Sequence, residues 1–293
     1  MSQETTKARA PERWAVWRSF KRSRVAVTGL VLLAVFLFVA VFADRIASRD
    51  PQKTSQETFR PPSAEFWFGT DDLGRDVFSG VVHGARISLL IGVTVALLSG
   101  LVGVLVGATA GYAGGFLDDL LMRLTELFLI PPRFFMALVI AAIFGASHFT
   151  VIIILTITYW PFTARLVRAE VMSLKERSFV EAARAMGATP TRILLRQILP
   201  NALPLIVTQV ILMIGGVILI EAGLDFIGLG DRNHISWGYM LHNGQHFIRD
   251  AWWMVVFPML AVSLLVFALN VLGDALNRAL DPRSRIEYLN KPV

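Results

Sequence analysis

Cysteine is absent from this 293-residue sequence, which excludes a disulfide framework, a thiolate nucleophile and a cysteine-ligated zinc site. Charged residues are scarce as well: they make up 17% of the chain, against about 25% in ordinary soluble domains. Hydrophobic residues instead reach 55%. A soluble globule of this length cannot bury so much apolar surface, so the composition excludes a disordered chain and a wholly soluble enzyme.

The sequence also lacks nucleotide-binding and hydrolase motifs. Neither a Gly-x-x-x-x-Gly-Lys-Ser/Thr phosphate loop nor a Gly-x-Gly-x-x-Gly turn occurs, so any use of ATP must take place on another chain. The Gly-x-Ser-x-Gly elbow of serine hydrolases is missing, and the adjacent Ser147 and His148 are expected in a short outer turn where their side chains diverge. We therefore predict no catalytic residue, no resident cofactor and no enzymatic activity on this chain.

The apolar residues that are present gather in long runs without charge. Uncharged runs cover 25–43, 87–117 and 134–164, and a helix needs about 20 such residues to cross a bilayer. Pro131 and Pro132 predict a kink in the third span. Acidic residues fall toward the ends of the spans, which disfavours an ion-coupled carrier. The pattern predicts an all-α membrane protein with six transmembrane helices, over residues 25–43, 87–110, 122–145, 149–168, 197–220 and 251–273.

The basic residues sort by membrane side. Most of the 28 Lys and Arg residues lie in the two tails and in the segments expected on the same side as the tails. Positive residues mark the cytoplasmic side, so both tails, 1–24 and 276–293, are predicted to be cytoplasmic and to flank a transmembrane domain over 25–275. Because no soluble basic face remains, the net charge of +6 does not indicate a nucleic-acid partner.

A stripe of small residues marks the second predicted span. Gly103, Gly107 and Gly111 recur at every fourth position, an interval that lets two membrane helices approach closely. We interpret the stripe as a helix-packing surface, with pore lining as the alternative.

The predicted cytoplasmic loop over 169–199 carries the strongest local signals. Good helix formers fill 179–186, and Gly187 is typical of a helix C-terminus. Thr189 fits an N-cap and Pro190 the first position of a second helix that ends before Pro200. The pattern predicts two short helices joined at a glycine. On residue types alone, it also fits a basic amphipathic hairpin lying on lipid headgroups.

This loop resembles the EAA loop of ABC importer permeases. The matching residues are Glu181, Ala182, Ala183, Gly187, Leu199 and Pro200; Gln197 stands where that pattern usually has isoleucine. Other stretches resemble, in the same order, the C-type permeases of dipeptide, oligopeptide and nickel importers, and the resemblance covers about 20–285. These stretches are 68–77, 84–88, 111–115, 121–123, 221–222, 226–230, 236–238, 251–253, 273–274 and 279–282. The segment 231–235 departs from it, because relatives often carry prolines there.

The resemblance implies a type I ABC importer permease fold in a bacterial or archaeal cytoplasmic membrane. It implies three kinds of partner: a homologous six-span permease that completes a heterodimer, one or two ATPase subunits that carry ATP and Mg²⁺, and an extracytoplasmic substrate-binding protein. The first helix of the EAA loop would dock in an ATPase groove. The coupling residues would be Glu181, Ala182, Ala183, Arg184, Gly187, Leu199 and Pro200.

The same resemblance ranks the substrates. Dipeptides and oligopeptides lead, with nickel chelates, oligosaccharides and opine-like compounds as alternatives within the family. A stand-alone channel or carrier is the alternative outside it.

A charged cluster precedes the second span on the predicted outer side. Asp71, Asp72, Arg75 and Asp76 form either a local ionic turn or part of the surface that meets the binding protein. Their spacing is not that of a calcium loop.

Two histidines on the outer side have the spacing of a helical metal site. His242 and His246 are four residues apart, but Gly244 weakens a helix between them and no third ligand is evident. We predict two solvated histidines and no metal site.

Overall fold

The computed structural model describes residues 24–280, except 48, 146 and 232–233. Within these residues the chain is helical, and its only extended pairing is an isolated bridge between Thr70 and Asp76. The predicted cytoplasmic tails, 1–24 and 276–293, lie outside the described residues except for 24 and 276–280. The all-α fold class predicted from the sequence is confirmed.

Eleven α-helices make up the described part of the chain. They are α1 (Arg24–Val41), α2 (Ala43–Ile46), α3 (Val77–Ala113), α4 (Gly115–Leu129), α5 (Arg133–Phe144), α6 (His148–Lys175), α7 (Ser178–Ala185), α8 (Pro190–Ile193), α9 (Leu199–Phe226), α10 (Trp237–Gly244) and α11 (Trp253–Leu280). A π-helical turn, Leu194–Ile198, joins α8 to α9, and a 3-10 turn, Gln245–Phe247, follows α10.

Five helical stretches of the described chain are long and apolar enough to cross a membrane: α1, α3, α6, α8 together with α9, and α11. The pair α4 and α5 meets the same criteria only when taken together, and it is bent by 76°. The bend falls at Pro131 and Pro132, because neither proline can donate the backbone hydrogen bond that would continue α4. Counted as one broken span, the pair brings the number of spans to six.

Helix α3 begins well before the start predicted for the second span. Asp76 caps it, and its first residue is Val77. The early turns carry His83 and Arg86, whose side chains bond the carboxylate of Asp44 at 3.2 Å and 3.1 Å. Hydrogen bonds from Arg86 and then His83 lower the pKa of Asp44. A search for uncharged residues misses these turns because their charges are paired at the end of the bundle.

The prediction that the second loop helix ends before Pro200 is wrong. The π-helical turn carries that helix into α9 without a break, so one helix runs from Pro190 to Phe226. Pro200 lies in the first turn of α9. It directly follows the π-helical turn, in which each backbone hydrogen bond spans five residues instead of the four of an α-helix. The missing backbone N–H of Pro200 therefore disturbs the helix little at this position.

The core lies where α3, α6 and α9 meet. Helix α6 packs along α3, and α9 packs against α3, α6 and α11. The cluster between them includes the buried side chains of Ile91, Leu155 and Val217. Helix α1 lies outside, against α11, and exposes apolar side chains such as Val31 and Phe38.

Successive spanning helices alternate in direction. Ala26 near the start of α1 packs beside Ala275 near the end of α11, so these ends share one side of the bundle with the segment between α6 and α9. We call this side the coupling end. The opposite side, which carries residues 49–76 and α10, is the outer end.

Candidate functional site

The segment between α6 and α9 is built around helix α7. Val180 and Ala183 are buried among apolar side chains of α6 and α9. Gly187 ends the helix with φ +79°, a conformation that costs other residues about 1–2 kcal/mol. Its N–H donates to the Arg184 carbonyl at 2.9 Å, and the Ala188 N–H donates to the Ala183 carbonyl at 3.0 Å. The predicted glycine stop therefore satisfies the carbonyls at the end of α7.

Helix α8 starts directly after this turn. The Thr189 side chain caps it by accepting from the Arg192 N–H at 3.4 Å, and Pro190 occupies the start of the helix. Ile193 and Ile198 are buried in the same apolar cluster as α7. Residues 176–198 thus form a compact unit, the coupling hairpin, that is anchored to the bundle by its apolar side.

The coupling hairpin turns a polar surface away from the bundle. Glu181, Ala182 and Arg184 are exposed, and Met186 at the tip is 82% exposed. Neither Glu181 nor Arg184 has a side-chain partner within the described residues. Ala183 faces the other way, so its small side chain serves the packing of α7 on the bundle rather than a surface open to a partner.

Positive charge dominates the outward surface of the hairpin. The last two predicted coupling residues lie at the base of the hairpin, where Leu199 is half-buried and Pro200 is exposed. The exposed acidic side chains are Glu176 and Glu181. They are outnumbered by exposed arginines at Arg177, Arg184, Arg192 and Arg196. Such a surface suits an acidic patch on another protein.

Two polar contacts attach the base of the hairpin to α3 and α4. Arg168 on α6 bonds both oxygens of Asp118 on α4, and Lys175 donates to the Tyr112 carbonyl at 2.8 Å. Asp118 lies in the first turn of its helix, where the helix dipole favours a carboxylate. The partners are 50 and 63 positions apart in the chain, so no local spacing identifies them in the sequence.

The glycine stripe lies where α3 crosses α6. A Cβ atom at Gly107 would clash with the Ala164 carbonyl, and one at Gly111 would lie 2.7 Å from the Arg168 carbonyl oxygen. A Cβ atom at Gly103 would lie 2.5 Å from a side chain of α6. These distances are far inside van der Waals contact, so the two backbones approach this closely because the stripe has no side chains.

At the outer end, Asp71 organises the turn before α3. Its Oδ1 accepts from the backbone N–H groups of Leu73 and Arg75 at 2.9 Å and 2.8 Å, and its Oδ2 accepts from Arg75 Nε at 2.6 Å. Asp76 caps α3. Asp72 Oδ1 is buried without a hydrogen-bond partner in the described chain; burial, then the charge of Asp71, raises the Asp72 pKa. Asp71 and Arg75 therefore form a local ion pair in this turn, and Asp76 caps the helix that follows.

Two carboxyl groups are buried one helical turn apart near the outer end of α9. Glu221 accepts from Ser88 Oγ on α3 at 3.3 Å, and Asp225 accepts from Ser236 Oγ at the start of α10. The bonds connect α9 to both neighbours. Asp225 also borders an open cavity of about 220 Å³. The other lining residues are Gly228, Gly230, Tyr239, His242 and Asn243.

The two outer histidines occupy different environments. His246 is exposed, as predicted, but His242 is half-buried, and its Nδ1 lies 2.7 Å from the Phe226 carbonyl oxygen. A carbonyl only accepts hydrogen bonds, so Nδ1 donates. The ring centroids of His242 and His246 are 5.9 Å apart and nearly perpendicular.

Known proteins share this architecture. Residues 103–286 match the family model described as binding-protein-dependent transport system inner membrane component, and residues 13–62 match the N-terminal TM domain of oligopeptide transport permease C. The dipeptide transport system permease protein DppC of Alkalihalophilus pseudofirmus is 38% identical over 274 residues, covering 92% of this chain and 89% of that protein.

Two further comparisons are with a second sequence relative and with a solved structure. The oligopeptide transport system permease protein OppC of Bacillus subtilis is 37% identical over 268 residues, covering 91% of this chain and 88% of that protein. A solved structure of the MetNI methionine ABC transporter in an inward-facing conformation superposes with a TM-score of 0.58. The superposition covers 69% of this chain and 96% of the chain in that structure, at 22% sequence identity. At this identity the likeness shows the fold alone.

Proposed function

This chain belongs to the family of binding-protein-dependent transport system inner membrane components, and we propose that it forms half of the translocation pathway of an ATP-driven importer for dipeptides or oligopeptides. It is a multi-pass permease of the cytoplasmic membrane. The observation that carries the proposal is the coupling hairpin, an anchored helix pair whose Glu181 and Arg184 face outward without partners in the described chain.

Docking of an ATPase subunit on α7 is the first step of the proposed mechanism. Ala182 lets a partner surface approach the helix closely, and the apolar side chain of Met186 is placed to enter a pocket. Glu181 and Arg184 supply opposite charges one turn apart, which would select the orientation of the partner. ATP and Mg²⁺ belong to the partner, where closure of two ATPases would displace the hairpin.

Transmission to the spans follows from the packing beneath the hairpin. Val180 and Ala183 pass a displacement of α7 to α6 and α9 through the shared apolar cluster. Helix α6 is held to α3 by the glycine stripe and to α4 by Arg168. A push on the hairpin therefore moves several spans together, as the alternation between inward-facing and outward-facing states requires.

The charge distribution supports an orientation in which the coupling end faces the cytoplasm. The coupling end carries the exposed arginines of the hairpin, and positive residues favour the cytoplasm. The outer end would then meet the substrate-binding protein with residues 49–76 and α10. A homologous permease, paired with this chain as a heterodimer, would complete the pathway, and the remaining exposed apolar surface would contact lipid.

The substrate assignment is supported by the relatives. Among the relatives that align with more than nine-tenths of this chain are a dipeptide permease and an oligopeptide permease. Nickel chelates and oligosaccharides are the alternatives that the family offers. Because a separate binding protein delivers the solute, the spans need only admit what that protein releases.

Affinity purification tests the proposal. The tagged chain is extracted from its native membrane in several mild detergents, and the eluate is analysed by mass spectrometry and assayed for ATP hydrolysis. We expect recovery of a homologous six-span permease and one or two ATPases. A lone chain without ATPase activity in every detergent would overturn the proposal and favour a hairpin that lies on lipid headgroups.

A further inference from the structure

Three metal-ligating side chains from separate parts of the chain meet at the outer end. His148 is the first residue of α6, and Asp231 and His234 belong to the connection between α9 and α10. One ligand atom from each residue lies within 4.8 Å of the other two. His234 Nδ1 is 3.4 Å from Asp231 Oδ2, and His148 Nε2 is 4.0 Å from the same oxygen.

Two of the three donor separations approach those of a formed metal site. Two donors that each lie about 2.1 Å from a tetrahedral zinc ion are about 3.4 Å apart. The His234–Asp231 pair already has this separation, at 3.4 Å. The His148–Asp231 pair would have to close by roughly 0.6 Å, a side-chain adjustment. The imidazole rings of His148 and His234 lie side by side, with centroids 4.7 Å apart.

One of the three ligands has an unused buried nitrogen. His148 Nε2 is shielded from solvent and has no hydrogen-bond partner in the described chain. Buried polar atoms are nearly always satisfied by a partner or an ion. This nitrogen faces the Asp231 carboxylate, itself nearly buried, so a cation between them would give the nitrogen a partner.

The ligand chemistry limits the ion. Two imidazole nitrogens and one carboxylate oxygen suit Zn²⁺, Ni²⁺ and similar divalent transition metals. Calcium and magnesium prefer sets made of oxygen ligands. A site with three protein ligands leaves a coordination position for water or another ligand.

We propose that His148, Asp231 and His234 bind a divalent transition metal ion of the zinc class at the outer end of the bundle. The ion connects the start of α6 to the loop that follows α9, two elements that no covalent link joins there. His242 and His246, which have the spacing of a helical metal site, lie in no group of three metal-ligating side chains among the described residues.

Metal binding to the purified full-length chain, or to its assembled complex, tests the site. The affinity tag must not be polyhistidine, since that tag would itself bind zinc. After treatment with a chelator, the protein is dialysed against Zn²⁺ and, separately, Ni²⁺, and bound metal is measured by mass spectrometry. We expect one tightly bound equivalent in the wild-type chain.

Substitution of a ligand should remove that equivalent. His234→Asn is the informative variant, because its side chain is 54% exposed and its replacement leaves the packing intact. We expect its affinity to fall at least about 100-fold, the upper end of the effect of losing an outer-shell partner. His148→Ala should do the same, and His246→Ala, an exposed histidine outside the cluster, should bind as the wild type does.

Spectroscopy of Co²⁺ in place of Zn²⁺ supplies a readout that does not depend on transport. A visible absorption band of a four-coordinate ion that disappears in His234→Asn would support the site. Equal metal content in the wild type and both cluster variants, or no bound metal in a correctly folded wild type, would overturn it. Either result leaves the ATPase-coupling proposal untouched, because that proposal is measured by co-purification at the opposite end.

Discussion

Arg168 donates two hydrogen bonds to the Asp118 carboxylate, from Nε to Oδ1 at 2.5 Å and from Nη2 to Oδ2 at 2.7 Å. A contact at two points sets orientation as well as distance, so it determines how α6 lies against α4. The contact is located directly beneath the coupling hairpin. Its loss should therefore loosen the base of the hairpin more than the rest of the bundle.

Asp118→Asn tests this contact. The substitution removes the charge and leaves one oxygen to accept from Arg168, so we expect a loss of about 1–3 kcal/mol. The measurement is the Tm of the purified complex, together with its rate of ATP hydrolysis. Asp119→Asn is the matched control, because Asp119 is exposed and makes no side-chain hydrogen bond in the described chain. Equal effects of the two substitutions would contradict the structural role of the pair.

Gly107→Ala should separate α3 from α6. The added Cβ would clash with the Ala164 carbonyl, and overpacking of this kind costs about 1–3 kcal/mol. Gly215→Ala on α9 is the control, since its Cβ would meet its nearest neighbour at an ordinary 3.7 Å and alanine favours a helix. Thermal unfolding of both variants in detergent distinguishes them. A Gly107→Ala variant as stable as the wild type would show that the stripe tolerates side chains.

Gly187→Asp and Glu181→Lys should abolish association with the ATPase while leaving membrane insertion intact. The first places a charged side chain at φ +79° on the open side of the hairpin, and the second reverses an exposed charge. The measurement is the amount of ATPase that co-purifies with the tagged chain.

Two variants serve as controls for the coupling prediction. Gly187→Asn is the milder change, because asparagine adopts the left-handed conformation more readily than most residues, and it should retain part of the association. Asp250→Lys reverses an exposed charge at the outer end and should have no effect. Unaltered co-purification in Gly187→Asp and Glu181→Lys would refute the coupling assignment.

Substitution of two nearby aspartates should change the stability of the fold in opposite directions. Asp76→Ala removes the cap that bonds the Ser79 N–H at 2.9 Å and the Ser79 hydroxyl at 2.6 Å, so we expect a loss of about 1 kcal/mol. Asp72→Asn should be neutral or stabilising, because the buried Oδ1 of Asp72 has no partner in the described chain. Unfolding of the two variants at neutral pH checks the contrast.

The pH dependence of Asp72 provides a second test of the same site. Burial raises its pKa above the ordinary value of 3.8, so the folded chain binds this proton more tightly than the unfolded chain does. Its contribution to stability is present below the unfolded-state pKa and is lost as pH rises through the folded-state pKa. In Asp72→Asn, this loss of stability with rising pH should be absent. The same dependence of stability on pH in the variant and in the wild type would contradict the raised pKa of Asp72.

Features that depend on neighbours in the chain could be predicted from the sequence. Uncharged runs identify the spans because a bilayer requires about 20 apolar residues. Pro131 and Pro132 mark the bend between α4 and α5, and Gly187, Thr189 and Pro190 mark the turn of the hairpin. Each of these residues acts through its own backbone conformation or its own missing donor, so its effect is visible locally.

Features that depend on distant partners could not be predicted. Ala183 lies beside Ala182 in the chain, yet only the packing of α7 on the bundle decides that one is buried and the other exposed. His148 and Asp231 come from separate helical hairpins, so their proximity exists only in the folded chain. In the sequence, only His242 and His246 have the spacing of a helical metal site, and we predict no site there.

The uninterrupted helix from Pro190 to Phe226 has 37 residues, which at 1.5 Å per residue makes it about 55 Å long. In mechanical terms it is a lever, with the coupling hairpin on one arm and the loop that carries Asp231 and His234 just past the other. A tilt of about 5° would carry one end of such a rod about 5 Å relative to the other. Work done on the hairpin by the proposed ATPase partner would thus reach the far end of the helix as motion, and an ion bound there would change the load against which that partner works.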